Sequence, residues 1–209
     1  MILVHHLENS RSQRVLWLLE ELGLPYEVRR YERDPKTMLA PPTLRAVHPL
    51  GKSPVIEDRD AGGLVVAETG AIVEFLVAKA GKLGPGAAPD EHLRYRHFLH
   101  YAEGSMMPPL LALLVVARMG ILGKPARKPM LQMLGRHLAW LDRELAGRPW
   151  FAGEDFSAAD IMMSFPLEAS RARGGLDSRY PRLIDWLARI HARPAWRAAL
   201  ERGGPYAFA

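Results

Sequence analysis

The sequence predicts two unlike halves: an α/β domain over residues 1–81 and an all-helical bundle domain over 90–209, joined by a linker at 82–89. Three observations predict this. Short apolar stretches alternate with a helix-period pattern through the first third of the chain. Strand-type patterning stops after residue 81 and does not return. Between the halves lies GKLGPGAAP, with three glycines and two prolines in nine residues.

The elements follow in order. Residues 1–7 (MILVHHL) are short and apolar, the mark of a strand, with His5 and His6 inside it as strand residues. Val15, Leu16, Leu18, Leu19 and Leu22 then recur at helical spacing. Gly23 supplies the stop and Pro25 prevents continuation. Residues 26–31 alternate and complete a βαβ unit, which is parallel and right-handed. A proline-rich loop at 34–49 holds a short helical piece around 43–47. SPVIED and GLVVAE read as two more strands, turned at Gly62-Gly63. A helix at 69–80 ends at Gly81. The order β-α-β then β-β-α is the thioredoxin-like arrangement, a mixed four-stranded sheet with helices on its faces.

In the second half, 90–120 is helical with a break or bend expected near Pro108-Pro109. Leu131, Leu134, Leu138, Leu141 and Leu145 form a seam at spacings of three and four, a helix buried along one face. Residues 157–167 are apolar on nearly every side and belong at the centre. Helices at 181–191 and 194–202 complete the set.

Composition bounds the function. The 209 residues are 48% hydrophobic and 24% charged, ordinary for a globular chain. With no cysteine, disulfides, thiolate metal sites and a cysteine nucleophile of the protein's own are excluded, and no other residues have metal-site spacing. The net charge is +5, but Lys and Arg are scattered, so a field attracting small anions is expected rather than a nucleic-acid surface. The N-terminus shows no leader pattern, and the apolar run 108–117 falls short of the ~20 residues that span a bilayer. A cytoplasmic protein without a membrane segment is expected.

Three local patterns carry chemistry. Asn9-Ser10-Arg11-Ser12 lies between the first strand and first helix. Ser and Asn there cap free N–H groups, and a hydroxyl at a helix N-terminus also suits an anion such as a thiolate. HPLGKSPVI (48–56) puts Ser53-Pro54 where the third strand begins, with Lys52 placed to meet a carboxylate. AETGAI (67–72) puts Glu68 and Thr69 where a strand becomes a helix. Thr69 and free N–H groups can hold an α-carboxylate there, and Glu68 an α-ammonium.

These patterns, in this order, resemble the cytosolic glutathione transferase family, in particular its theta-like and fungal or bacterial serine-type members. NSRSQRVLWLLEELGLPYE is similar to the opening of those members, HPLGKSPVI to the stretch around the family's cis-proline, and AETGAIVEFL to its γ-glutamyl-binding element. FSAADI (156–161) is similar to its capping box. Ser157 and Asp160 have the reciprocal capping spacing, and Phe156 and Ile161 sit where a hydrophobic staple would.

The resemblance implies glutathione as co-substrate, with no metal, and a homodimer. Ser10 would donate to the glutathione sulfur, with Asn9 or Ser12 as alternatives. Ser53, ahead of Pro54, would hold the cysteinyl backbone. Lys52 would meet the glycyl carboxylate, or Arg45 in its place, since MLAPPTLRAV stands where some classes carry a His-Lys pair. Glu68 and Thr69 would bind the γ-glutamyl end. Tyr101, Glu103, Met106 and Met107 are the candidates for a pocket that takes a small hydrophobic electrophile. The implied activity is thiolate conjugation. The alternatives are glutathione-dependent reduction of disulfides or peroxides, and a non-catalytic interaction protein.

Overall fold

The computed structural model describes residues 1–208. Its first 84 residues hold a mixed four-stranded sheet in the order β2-β1-β3-β4. β1 (Ile2–Leu7) runs parallel to β2 (Tyr26–Tyr31) and antiparallel to β3 (Val55–Asp58). β4 (Leu64–Ala67) is antiparallel to β3. Every residue of β1 is buried, as a central strand covered on both faces requires.

Local chemistry ends each element where the sequence says it should. α1 (Ser12–Leu22) stops at Gly23, whose φ of +68° is the left-handed cap that glycine adopts without a Cβ penalty. α3 (Thr69–Ala80) stops in the same way at Gly81. α2 (Pro42–Val47) is one short turn of helix anchored by Leu44.

The helix α9 (Pro194–Gly203) departs from the expected boundaries. Residues 192–207 group with the first unit, not with residues 85–191. The reason is a close fit on α1. Gly203 lies so near Gln13 and Leu16 that an added Cβ would sit 2.5 Å from the Gln13 amide oxygen. Arg193 grips Glu21 with two hydrogen bonds of 2.5 and 2.8 Å. Arg202 lies 3.6 Å from the Tyr26 ring centroid and donates to the Tyr26 carbonyl.

The second unit is helical. α4 (Pro89–Tyr101) passes through a π-turn at Ala102–Met106 into α5 (Met107–Arg118). The helix is not broken at Pro108-Pro109; the expected distortion near them takes the form of the π-turn that directly precedes them. The resulting 30-residue helical stretch is long and apolar enough, by length and composition, to cross a bilayer. Tyr95, Phe98, Leu99, Ala102, Met106, Leu110 and Leu113 along it are buried, and α6 (Lys124–Glu144) and α7 (Ala158–Ala169) pack against it.

α7 is buried along its whole length. Its capping box forms as expected, with Ser157 and Asp160 bonded reciprocally. Asp160 also accepts from Phe151 N–H and Trp186 Nε1, tying α8 (Pro181–His191) to the start of α7.

Candidate active site

Strand register assembles the site. Val55, at the start of β3, pairs with His5 of β1 and with Ala67, at the end of β4. The segments after Leu7, before Val55 and after Ala67 therefore meet at one end of the sheet. α1 and α3 both begin there, so two helix N-termini, each carrying roughly half a positive charge, favour an anion at that end.

Ser10 lies two residues ahead of α1 and is buried, with its Oγ accepting the Ser12 N–H at 3.2 Å. The capping and anion-binding readings of this segment thus share one residue. Asn9, held at φ +49°, accepts the Ala207 N–H on its Oδ1. Ser12 is fully buried, and its hydroxyl lies 2.7 Å from Ser10 Oγ and 2.8 Å from His6 Nδ1. Of the two alternatives to Ser10, Ser12 is fully buried, while Asn9 is exposed with its Oδ1 engaged. Arg33 donates to the Glu8 and Asn9 carbonyls and ties the segment to the chain beyond β2.

The Ser53-Pro54 bond is cis. Ser53 Oγ accepts the Leu7 N–H at 3.1 Å and donates to the His5 carbonyl at 2.8 Å. Its hydroxyl thus staples β1 to the turn before β3, and main-chain groups are what Ser53 offers a ligand. Lys52 is exposed beside it. Arg45 packs along Gly51, whose φ of +56° and lack of a side chain allow the approach. Two cations, Lys52 and Arg45, therefore flank the cis-proline turn.

Glu68 has φ +71°, an unusual conformation for a non-glycine residue that costs about 1–3 kcal/mol. Its carboxylate is exposed and makes no capping hydrogen bond to α3. Thr69, the first residue of α3, is buried. An exposed carboxylate, a hydroxyl and a helix N-terminus thus stand together.

Of the residues expected to take an electrophile, Glu103 and Met106 lie within the π-turn, a helix distortion frequent at functional sites, and Tyr101 and Met107 flank it. Met106 and Met107 are buried and Glu103 is half-buried. Tyr101 directs its hydroxyl to His137 Nδ1 at 2.5 Å and stacks on His97, and burial pushes its ionisation well above the ordinary tyrosine range. The two methionines therefore offer no open side chain, and the tyrosine hydroxyl already has a partner.

Sequence reasoning missed His6. It is buried at the end of the strand nearest Ser10, and burial, with the nearby Arg30, lowers its pKa to about 4. Its neighbour His5 points to the opposite sheet face, between Tyr31 OH and Glu57, both at 2.8 Å. A polar residue in a wholly buried strand is the signal that could have drawn notice. Among the described residues no group of three His, Cys, Asp or Glu could hold a metal.

Comparison with known proteins identifies the family. A family model described as glutathione S-transferase, N-terminal domain, matches residues 10–79, and one described as glutathione S-transferase, C-terminal domain, matches 117–189. Glutathione S-transferase 3 of Schizosaccharomyces pombe is 35% identical over 97% of this chain and 88% of its own length. A glutathione S-transferase crystal structure from Actinobacillus pleuropneumoniae superposes with a TM-score of 0.87 at 33% identity, covering 100% of this chain and 95% of that one. A glutathione transferase family member from Pseudomonas fluorescens, crystallised with two glutathione bound, gives a TM-score of 0.83 at 28% identity over 96% of this chain and 92% of its own. The chain belongs to the glutathione S-transferase family of enzymes.

Proposed function

We propose that this protein is a glutathione transferase in which Ser10 holds glutathione as a thiolate for attack on a small hydrophobic electrophile. The observation that carries the reading is the convergence of Ser10, the cis Ser53-Pro54 turn and the Glu68-Thr69 corner at one end of the sheet. The Pseudomonas fluorescens relative with bound glutathione supports it.

The ends of the tripeptide match the groups present. Glu68 takes the α-ammonium of the γ-glutamyl residue, and Thr69 with the α3 N-terminus takes its α-carboxylate. The main chain of Ser53 pairs with the cysteinyl backbone. Lys52 and Arg45 meet the glycyl carboxylate. The sulfur is then left beside Ser10 and the N-terminus of α1.

The energetics suffice. A free thiol has a pKa of about 8.5, so little thiolate exists at pH 7. One hydrogen bond to the charged sulfur stabilises it by ~1.5–3 kcal/mol, or about 1–2 pK units, and the helix terminus adds ~0.3–1 kcal/mol. The thiolate becomes a major species at neutral pH, and attack then needs positioning. Tyr101, just before the π-turn, and Glu103, within it, are the proposed electrophile contacts. The enzyme acts as a homodimer in the cytoplasm.

Turnover assays test this reading. With glutathione present, the purified protein should conjugate an aromatic halide such as 1-chloro-2,4-dinitrobenzene. Turnover of a small disulfide but not of the halide would replace conjugation with reduction. No glutathione binding by calorimetry would remove both activities.

A further inference from the structure

Behind Ser10 the structure holds a continuous polar path. Ser10 Oγ meets Ser12 Oγ at 2.7 Å, and Ser12 Oγ meets His6 Nδ1 at 2.8 Å. His6 and Ser12 are both buried. The other side of the His6 ring faces the backbone carbonyl of Gly203, at the end of α9. Arg30, opposite His6 in the β1–β2 register, turns its guanidinium to the Arg202 carbonyl. Glu8 is the acidic group on this side.

The His6 tautomer sets the direction of the path. A neutral imidazole has one N–H; with it on Nε2, the side of the ring toward Gly203, Nδ1 is a bare acceptor. Ser12 therefore donates to His6 across the 2.8 Å contact, its 3.3 Å approach to the Leu7 carbonyl being the longer alternative. The single Ser12 proton being committed, Ser10 donates to Ser12. Ser10 Oγ then presents a lone pair to a ligand, the partner that a thiol S–H needs. Protonation of His6 at Nδ1, as in the imidazolium, reverses every bond and turns a Ser10 proton outward.

We propose that the Ser10–Ser12–His6 chain carries the thiol proton of bound glutathione inward, with His6 Nδ1 as its acceptor. This rests on the reading that Ser10 faces the glutathione sulfur. The step balances. The S–H bond breaks and its proton joins Ser10 Oγ. The Ser10 proton passes to Ser12 Oγ, and the Ser12 proton passes to His6 Nδ1. Each hydroxyl keeps one proton, the sulfur becomes a thiolate and the imidazole becomes an imidazolium. Ser10 then donates to the thiolate. In the free protein burial and Arg30 keep His6 neutral, so the acceptor is vacant when glutathione arrives. The thiolate supplies the negative charge that favours the imidazolium, and once the thiolate is consumed the proton returns outward.

Proton counting on glutathione binding tests the relay. Calorimetry at pH 7 in buffers of different ionisation enthalpy gives protons released per glutathione bound, and the ultraviolet thiolate band gives the fraction ionised. A relay predicts thiolate with far less than one proton released per thiolate, and protonation of both His6 ring nitrogens by 15N NMR. Ser12→Ala, which removes one buried oxygen, cuts the path: its thiolate should release one proton each, with the thiol pKa raised by about one unit or more. One proton released per thiolate in the wild type, with His6 remaining neutral, would overturn the relay while leaving Ser10 as the thiolate's partner. Absence of a thiolate band in the wild type would overturn the underlying reading of the site, and the relay with it.

Discussion

Asp160→Asn tests how burial competes with hydrogen bonding at the capping box. The carboxylate is fully buried and accepts from Phe151 N–H, Ser157 N–H, the Ser157 hydroxyl and Trp186 Nε1. Burial still prevails over these four donors and raises its pKa to about 6. Against an ordinary carboxyl this is a rise of roughly two units, worth about 3 kcal/mol at 1.36 kcal/mol per unit. The sign follows from which state binds more protons. Between about pH 4 and 6 the unfolded carboxyl is ionised while the folded one keeps its proton, so this residue's contribution is lost as pH rises through that window. His6 works in the opposite sense. Its pKa of about 4 means that the unfolded state binds more protons below pH 6.5, so its contribution grows by about 3 kcal/mol over nearly the same window. The two nearly cancel in the wild type, and the depressed carboxylates Asp34, Asp58 and Asp177 act below it. Asparagine cannot titrate, and its amide nitrogen faces a donor. The variant should lose ~1–3 kcal/mol outright. Its stability relative to wild type should then improve by about 3 kcal/mol between pH 4 and 6.5. Urea unfolding followed by tryptophan fluorescence at half-unit pH steps measures this difference. A difference that stays flat within about 1 kcal/mol would refute the reasoning.

Further expectations concern the packing of α9 and the ligand corners. Arg193→Ala removes the two-bond grip on Glu21, which also accepts from Trp17 Nε1. With the arginine partly exposed, the loss should be ~1–2 kcal/mol, with faster proteolysis within 192–207. Ser53→Ala leaves the Leu7 N–H and His5 carbonyl without their bridging hydroxyl, and thermal unfolding should report a loss of ~1–2 kcal/mol. Glu68→Gln keeps the shape but removes the charge proposed to meet the α-ammonium. The KM for glutathione should rise roughly tenfold with kcat nearly unchanged, and an equal fall in kcat would contradict a binding role.

The sequence was most legible where a local rule decides the structure. Gly23 and Gly81 end their helices with the left-handed cap, and Ser157 with Asp160 starts α7, because each depends on residues within one turn. The sheet order follows from element order and handedness, so the three ligand corners could be named in advance as motifs. Their meeting at one end needed the register, in which Val55 pairs with both His5 and Ala67. What stayed hidden depends on partners distant in the chain. Periodicity shows that α9 has a buried face but not that α1 covers it. Pro108-Pro109 signalled a helix distortion nearby but not that it would be a π-turn at Ala102–Met106. His6 reads as a strand residue until the fold sets Ser12 on one side and Gly203 on the other.

The central claim is that the Ser10 hydroxyl stabilises the glutathione thiolate. Glutathione bound to wild type and to Ser10→Ala, with the ultraviolet thiolate band followed against pH, tests it most directly. The account predicts that both proteins bind glutathione, that the wild type lowers the thiol pKa by about 1–2 units, and that Ser10→Ala loses most of that shift. An unchanged thiol pKa in Ser10→Ala would contradict it and place the thiolate's partner elsewhere.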